Sequence, residues 1–488
     1  MNKSELKGKI EPFIFNKLSN QSYEIKTRSS SSLLTWNRFD IAFKLFYLDN
    51  KENNIGLARL VYEHDIRAQT LGSFEEYGND DKQSFEAYVC DFKRLYEDIF
   101  HNGFDKEKTI VPLSDKGTII NGSHRVSAAI HLMQTVSCVQ TDRPIMTCDY
   151  DYFFNRNVPT EILDIVARKF IEYAEDVYIA FLWPSGRSNL SEVVSKFSRV
   201  IYKKNISLKC KGGFNLIVEL YKHMEWLGNV EVGFSGAKQK LTECFTDFDD
   251  VTVIAFQADS IERVREIKKE IRDINKIGFS SVHITDTKEE SIRISKLVFS
   301  ENGLHFLNFS EPYKYQICED LKRLRFFLNE SDISPDDVLI DGSSVLSLYG
   351  IRRSEDLDYL TVCDSLINSH EFDKHDSELV YHNRLKEDLI YNPKYYFEYL
   401  GFKFVSFEQL YYMKEKRCEE KDSLDCLLMK KLIEDKFFSK NIGIIKQSIF
   451  YFRIRSKERL VKWVRSILKY LRLYDIVRLV YRKLRGRS

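Results

Sequence analysis

Two aspartates could bind a metal ion. Asp356 and Asp358 are separated by one residue in the string RRSEDLDYLTV, whose apolar residues predict a strand. Side chains alternate along a strand, so both carboxylates should face the same side. Two such carboxylates can hold Mg²⁺, which in turn holds the phosphates of a nucleotide. The pattern therefore predicts a metal site, with a pair of solvated aspartates at a strand edge as the plainer alternative.

A glycine-serine turn precedes these aspartates. Gly342, Ser343 and Ser344 follow a short apolar run, and a turn of this kind lets backbone amides approach phosphates. The order of strand, Gly-Ser turn, helix and Asp-x-Asp strand resembles the nucleotidyltransferase superfamily. This resemblance implies that Gly342, Ser343 and Ser344 bind phosphates and that Asp356 and Asp358 bind Mg²⁺.

The same superfamily uses a third carboxylate on a later strand. Asp388 is the preferred candidate here, with Glu378 as the alternative. Lys421, in a helical stretch rich in Lys and Glu, is expected to contact phosphates, as Lys414 and Arg417 could. Charged runs of this kind are also typical of solvated helix faces, so that alternative stays open.

A second polar turn lies in the string IINGSHRVSAAIHL. Asn-Gly forms a tight turn, and Ser123 can cap the helix that follows. Free amides at a helix start attract anions, and Arg125 in the first turn could bind a phosphate through two hydrogen bonds. The alternative is an ordinary strand-turn-helix with a surface arginine.

The segment NGSHRVSAAI resembles the (D/N)G-x-(H/R)R-x-x-A box of the ParB/sulfiredoxin-like superfamily, over about residues 37–150. Members of that superfamily bind nucleoside triphosphates or diphosphates. The DNA-clamp branch is set aside, because no helix-turn-helix pattern follows the box. An acidic residue would serve as base for a hydroxyl acceptor, with Glu63 as the candidate and Glu75 or Glu76 as alternatives. The residues implied to hold phosphates are Asn121, Gly122, Ser123, His124 and Arg125.

The middle of the chain carries weaker signals. Glycine turns at 183–189 and 210–215 precede predicted helices, but neither matches a known phosphate-binding pattern. His283 and Asp286 end a predicted strand, which is a common position for active sites in α/β proteins. A single histidine in this position is more often structural.

The predicted elements alternate between strands and helices, and 488 residues exceed what one hydrophobic core usually serves. The fold class is therefore α/β and α+β multidomain. The predicted parts are a ParB/sulfiredoxin-like domain (1–175), an α/β middle domain (176–315), a nucleotidyltransferase-like domain (316–440) and a basic amphipathic helical tail (441–488). Predicted elements include helices at 84–100, 190–202, 260–275 and 288–299, and strands at 177–182, 251–256, 281–284 and 304–307.

Charge divides the chain unevenly. The totals of 74 Lys+Arg and 73 Asp+Glu nearly cancel, but residues 451–488 hold 13 basic and 2 acidic residues. Apolar residues in this tail follow a helical spacing and include Trp463 and Tyr470, which suit a membrane interface. The tail is therefore expected to meet an anionic membrane surface or to dock on the body, with nucleic acid less favoured.

Nine scattered cysteines without a C-x-x-C pair indicate a reducing compartment. No apolar run reaches the ~18–20 residues that span a bilayer. The expected location is the cytoplasm, peripheral to the inner face of the membrane.

The expected function is Mg²⁺-dependent phosphoryl or nucleotidyl transfer from ATP or CTP. The acceptor would be a sugar or polyol, free or lipid-linked, because the architecture resembles proteins of bacterial surface-polysaccharide gene clusters. Alternatives are a nucleotide-sensing regulatory or defence protein with an inactive transferase fold, and a nuclease or transferase acting on nucleic acid. In the main interpretation no nucleic acid partner is expected, and homo-oligomer formation stays open.

Overall fold

The computed structural model describes residues 1–76, 82–248, 250–315, 317–363 and 372–433, and also residues 460, 463–471, 473, 474 and 477. Within these ranges the protein is mixed α/β, with three separate β-sheets. The strands of the three sheets come from residues 25–140, 177–284 and 338–405. Short 3₁₀-helices lie at Lys3–Leu6, Ser31–Leu33, Pro184–Asn189, Glu225–Leu227, Gly278–Ser280, Pro335–Asp337 and His375–Glu378.

The N-terminal part holds a three-stranded sheet in the order β1-β3-β2. The predicted helix after Ser84 is confirmed, since the Ser84 side chain accepts a hydrogen bond from the amide of Ala87. That helix buries Tyr88 and Phe92 against its neighbours. The elements are α1 (Pro12–Phe15), β1 (Ile25–Ser29), α2 (Asp40–Asn50), α3 (Ile55–Gln69), α4 (Phe85–Asn102), β2 (Val111–Leu113), α5 (Ser123–His131), β3 (Thr135–Gln140), α6 (Tyr150–Phe154) and α7 (Thr160–Tyr173).

The middle part holds a four-stranded sheet in the order β5-β6-β4-β7, and every neighbouring pair is antiparallel. Strand β7 pairs with β4 alone and forms one edge of the sheet. The elements are β4 (Val177–Leu182), α8 (Leu190–Val194), β5 (Val200–Ser207), α9 (Cys210–Tyr221), α10 (Ser235–Cys244), β6 (Asp250–Gln257), α11 (Ile261–Asn275), β7 (Val282–Ile284), α12 (Lys288–Val298) and α13 (Glu301–Phe309).

Two predicted elements of the middle part are wrong. The predicted strand at 304–307 is part of helix α13, which begins where the Ser300 side chain accepts from the amide of Gly303. The predicted helix at 190–202 ends at Val194, and its last residues belong to strand β5. The β-branched and aromatic residues of VIY at 200–202 favour this strand, which pairs with β6.

The third part holds a five-stranded sheet in the order β10-β9-β8-β12-β11. Strand β9 runs antiparallel to β8 and parallel to β10. The elements are α14 (Cys318–Glu330), β8 (Val338–Asp341), α15 (Ser343–Leu348), β9 (Leu357–Thr361), β10 (Phe372–Lys374), α16 (Leu379–His382), α17 (Lys386–Tyr391), β11 (Tyr396–Tyr399), β12 (Phe402–Val405), α18 (Phe407–Arg417) and α19 (Glu420–Ile433).

One continuous hydrophobic cluster runs through all three parts, from Leu33 to Met429. In the predicted tail 441–488, residues 463–470 are helical, and most of the rest lies outside the described residues. Across the described ranges, no helix is both long enough and apolar enough to cross a membrane.

Candidate functional site

The turn between β8 and α15 requires glycine. Gly342 has a φ of +65°, which L side chains rarely adopt. A Cβ added there would overlap Oδ2 of Asp358 and lie 3.1 Å from its Cγ. The sequence predicted that a glycine here lets backbone amides approach phosphates. In the structure the space left by the missing side chain is occupied by the Asp358 carboxylate.

Three aspartates stand side by side across three neighbouring strands. The pairing register places Asp341 of β8 opposite Asp358 of β9, and Asp358 opposite Asp373 of β10. Directly opposed residues share one face of a sheet. The sheet therefore places three carboxylates, Asp341, Asp358 and Asp373, in a row beside the Gly342 turn. We call this row the aspartate edge.

Asp341 is fully buried and is held by two histidines. Its Oδ2 lies 3.1 Å from Nδ1 of His375 and 2.9 Å from Nε2 of His382. Burial alone would raise the pKa of Asp341, but His382 and His375 together hold that pKa well below its usual range. Asp341 is therefore ionised at neutral pH, and its Oδ1 is buried without a hydrogen-bond partner among the described residues.

The orientation of His382 is set by Gln409 on α18. The Gln409 side-chain nitrogen lies 3.0 Å from the His382 carbonyl oxygen and 3.3 Å from its Nδ1. If this nitrogen donates to Nδ1, the proton of a neutral ring is on Nε2, which can then donate to Asp341. Helix α18, which follows the sheet, thereby orients His382 toward Asp341 on β8.

Asp358 has the opposite electrostatic character. Burial raises the pKa of Asp358 to about 6; His375 opposes this shift, while Asp356, Asp341 and Asp373 add to it. The three neighbouring carboxylates repel a negative charge on Asp358. A cation at this edge would offset that repulsion and favour the ionised form of Asp358.

Three serines position Asp356. The Ser343 hydroxyl donates to Oδ1 of Asp356 at 3.2 Å, and the Ser344 hydroxyl donates to its carbonyl oxygen at 3.3 Å. Ser354 accepts or donates a hydrogen bond with Ser343 and donates to the same carbonyl oxygen of Asp356. In this structure Ser343 and Ser344 therefore tie the loop before β9 to helix α15.

The donor set fits a hard divalent cation. It offers an ionised aspartate with an unpartnered buried oxygen, a carboxylate with a raised pKa and two more aspartates beside them. In the described ranges no group of three or more His, Cys, Asp or Glu side chains is arranged so that it could hold a metal ion by itself. Mg²⁺ is usually bound by one or two carboxylates together with substrate phosphates, so an open site agrees with this ion.

Two predicted residues lie apart from this edge. Asp388 on α17 accepts a hydrogen bond from the Asn54 side chain at 2.9 Å, which joins it to the N-cap of α3. Lys421 on α19 is mostly exposed and pairs with Glu419 at 3.2 Å. Asp373 instead occupies the aligned third position. Lys414, one of the buried lysines of this region, pairs with Asp422 and Asp425.

The second predicted site, at the NGSHR box, is closed by internal contacts. Gly122 has a φ of +96°, as the predicted tight turn requires, and Asn121 Oδ1 accepts from its amide at 2.5 Å. Arg125 donates to Thr109 and to Glu11 and folds back over Gly122. A phosphate here would have to displace Glu11 from the guanidinium.

His124 of the same box turns toward the core. Its Nε2 lies 2.7 Å from the Tyr62 hydroxyl, and its ring packs edge-on against Phe92. Burial, with smaller contributions from nearby cations, holds the pKa of His124 well below its usual value. This neutral imidazole acts as a packing and hydrogen-bonding group in the structure.

Four charged side chains are buried next to this box. Arg38 donates to Asp40 at 2.8 Å, and Lys44 donates to Asp65 at 2.5 Å. Burial raises the pKa of Asp65 to about 6 against the pull of Lys44. Glu63, the predicted base, lies outside this cluster and pairs with Arg67 on the same helix.

Comparison of the chain with protein-family models, curated proteins and solved structures gives no significant match. The function proposed below therefore rests on the residues and geometry of the site. Sequence reasoning missed Asp341, Asp373, His375 and His382. Asp341 could have been noticed as an acidic residue ending an apolar strand, whereas Asp373 becomes visible only through the strand register.

Proposed function

We propose that the third part of the chain is a Mg²⁺-dependent nucleotidyl- or phosphotransferase site that uses ATP or CTP. The observation that carries this proposal is the row of Asp341, Asp358 and Asp373 across β8, β9 and β10, beside the positive-φ turn at Gly342. Carboxylates gathered in this way are costly unless a cation joins them.

The proposed roles follow from the contacts of each residue. Asp356 and Asp358 would hold the metal ion together with the nucleotide phosphates, which the ion would neutralise and orient, and Asp373 would add negative charge beside them. His375 and His382 keep Asp341 ionised, so the negative charge of the edge persists at neutral pH. Ser343 keeps Asp356 at the mouth of the turn.

The acceptor we propose is the hydroxyl of a sugar or polyol in surface-polysaccharide synthesis. The proposed tail contact with an anionic membrane would bring the enzyme to a lipid-linked acceptor. In the described part of the tail, Trp463, Tyr470 and Leu471 are each more than half exposed. This exposure supports membrane contact over docking of these side chains on the body. Deleting residues 451–488 should abolish cosedimentation with phosphatidylglycerol vesicles and leave nucleotide binding intact; retained cosedimentation would refute the tether.

Turnover tests the transferase proposal. The full chain is incubated with Mg²⁺, ATP or CTP and a panel of sugars and polyols, and release of pyrophosphate or nucleoside diphosphate is followed. We expect acceptor-dependent release that Asp358→Asn reduces at least roughly a hundredfold, since a metal-holding carboxylate contributes several kcal/mol to a transition state. Lys421→Gln is the matched control and should react like wild type.

Two outcomes would change the assignment. Acceptor-dependent release of pyrophosphate or nucleoside diphosphate that is equally fast in Asp358→Asn would show that the reaction does not take place at the aspartate edge. Mg²⁺-dependent nucleotide binding without turnover on any acceptor would favour the alternative of a nucleotide-sensing protein.

A further inference from the structure

A cavity of about 580 Å³ lies in the middle part of the chain, away from the aspartate edge. It opens beside the edge strand β7 and is walled by helices α10 and α11. This volume is typical of pockets that bind small molecules. Its lining combines aromatic rings with three basic side chains, and the proposed transferase chemistry uses none of them.

Arg272 lines this cavity and makes no ion pair with any residue that the structure describes. Its guanidinium carbon lies 4.5 Å from the centre of the Phe279 ring. Among the described residues its side chain makes no ion pair or hydrogen bond, and its Nε is buried without a partner. Arg272 is partly exposed, so its guanidinium is free to form charge-assisted hydrogen bonds with an anion that enters the cavity.

Two lysines stand beside Arg272 with their partners already in place. Lys268 pairs with Asp286 at 2.6 Å, and Lys240 donates to the Phe279 carbonyl oxygen at 2.8 Å. Asp286 therefore offsets much of the charge of Lys268, and Lys240 also lies 4.0 Å from Glu243, so each lysine keeps only part of its charge for a ligand. An anion bound to Arg272 would be stabilised by both.

Aromatic surface forms the second half of the cavity. Trp226 packs on Tyr221 with ring centres 5.2 Å apart, yet 47% of the Trp226 surface stays exposed. Phe279 is exposed to 74%. Rings of this size are rarely left uncovered together at a cavity, and they offer faces on which a flat ring can stack.

A buried histidine lines the cavity and has a carboxylate close to it. His283 is 8% exposed, and its Nε2 and the Glu290 Oε1 lie 3.4 Å apart, each without a hydrogen-bond partner among the described residues. Burial holds the pKa of His283 below its usual value, so the ring is neutral at neutral pH. A neutral imidazole with an unsatisfied nitrogen can give one hydrogen bond to a polar ligand.

We propose that this cavity binds a nucleotide, whose base stacks on Trp226 or Phe279 and whose phosphate is held by Arg272 with support from Lys268 and Lys240. The guanidinium without an ion pair can bind an anion, and the exposed rings offer faces for a flat ring. A nucleoside phosphate carries both groups in one small molecule. This site is separate from the proposed transferase edge and does not depend on Mg²⁺.

The test uses the full-length protein in EDTA, where binding through Mg²⁺ is absent. Tryptophan fluorescence is titrated with AMP, UMP, adenosine and inorganic phosphate. AMP and UMP should quench the fluorescence saturably, because stacking on Trp226 brings a base against an exposed indole. Trp226→Phe should remove the quenching while equilibrium dialysis still detects bound AMP.

Variants locate the phosphate contact. Arg272→Gln should weaken AMP binding roughly tenfold or more, the size expected for lost charge-assisted hydrogen bonds. Arg265→Gln is the matched control, since Arg265 lies on the same helix but is 70% exposed, and it should bind like wild type. If Arg272→Gln does not fold, Lys268→Gln should still weaken binding several-fold.

Two results would overturn the proposal. One is AMP binding of equal strength in wild type and in the folded Arg272 variant, or in Lys268→Gln where Arg272→Gln does not fold. The other is binding of inorganic phosphate as tight as that of AMP, which would leave the rings without a role. Absence of any saturable binding of AMP and UMP would overturn it as well.

Discussion

Replacing Gly342 with alanine should damage the aspartate edge for two reasons. Gly342 has φ +65° and ψ −139°, a combination outside the left-handed helical region, and alanine there costs roughly 1–3 kcal/mol of backbone strain. Its Cβ would also overlap Oδ2 of Asp358, and overpacking of this kind costs about 1–3 kcal/mol. Gly342→Ala should therefore lower the free energy of unfolding by about 2–6 kcal/mol. The measurement is the shift of the urea transition of the full chain.

A control and a double-mutant cycle separate the two costs. Gly8 has a φ of +80° with open space around it, so Gly8→Ala should show the strain alone. In an Asp358→Ala background, Gly342→Ala should cost about 1–3 kcal/mol less than in wild type, because the overlapping atom is gone. Equal costs for Gly342→Ala and Gly8→Ala, with an additive cycle, would refute the placement of Asp358 against the turn.

Three further predictions concern other carboxylates and the buried charges. Asp373→Asn should weaken Mg²⁺-dependent nucleotide binding about tenfold in calorimetry, whereas Asp388→Asn should leave it unchanged; the reverse result would restore Asp388 as the third carboxylate. Lys44→Met should lower the free energy of unfolding by about 3–5 kcal/mol, because it leaves buried carboxylates with too few cations, while exposed Lys93→Met should cost almost nothing. Burial raises the pKa of Asp65 to about 6, so its contribution to stability is present at low pH and is lost as pH rises toward 6. Asp65→Asn should therefore reduce the dependence of the urea midpoint on pH between about pH 4 and 6. An unchanged pH dependence would contradict this.

Local pattern predicted much of the fold. Helices α4, α11 and α12 and strand β4 lie within two residues of their predicted ranges, and in the structure side chains of Ser84, Ser260 and Thr287 cap the three helices. Errors arose where a local signal was ambiguous. Leu304 and Leu307 fit a strand or a helix equally well in a short apolar run, and the Ser300 cap decides for the helix.

The site was predictable only where its residues are close in sequence. Asp356, Asp358 and the Gly342 turn belong to one motif, and the structure brings them together. Asp373 and the histidines of Asp341 depend on strand register and on a helix packed across the sheet, which no local pattern encodes. The pairing of Arg125 with Glu11, 114 residues away, is hidden for the same reason.

Calorimetric titration of the full chain with Mg²⁺ and a non-hydrolysable ATP or CTP analogue tests the central claim most directly. We expect saturable binding that EDTA weakens and that Asp358→Asn weakens at least roughly tenfold, the loss expected when one of two metal-holding carboxylates is removed. Any nucleotide that binds in EDTA would belong to the middle cavity and should not respond to Asp358→Asn. Mg²⁺-dependent binding of equal affinity in wild type and Asp358→Asn would contradict the account, as would no Mg²⁺-dependent binding of either analogue.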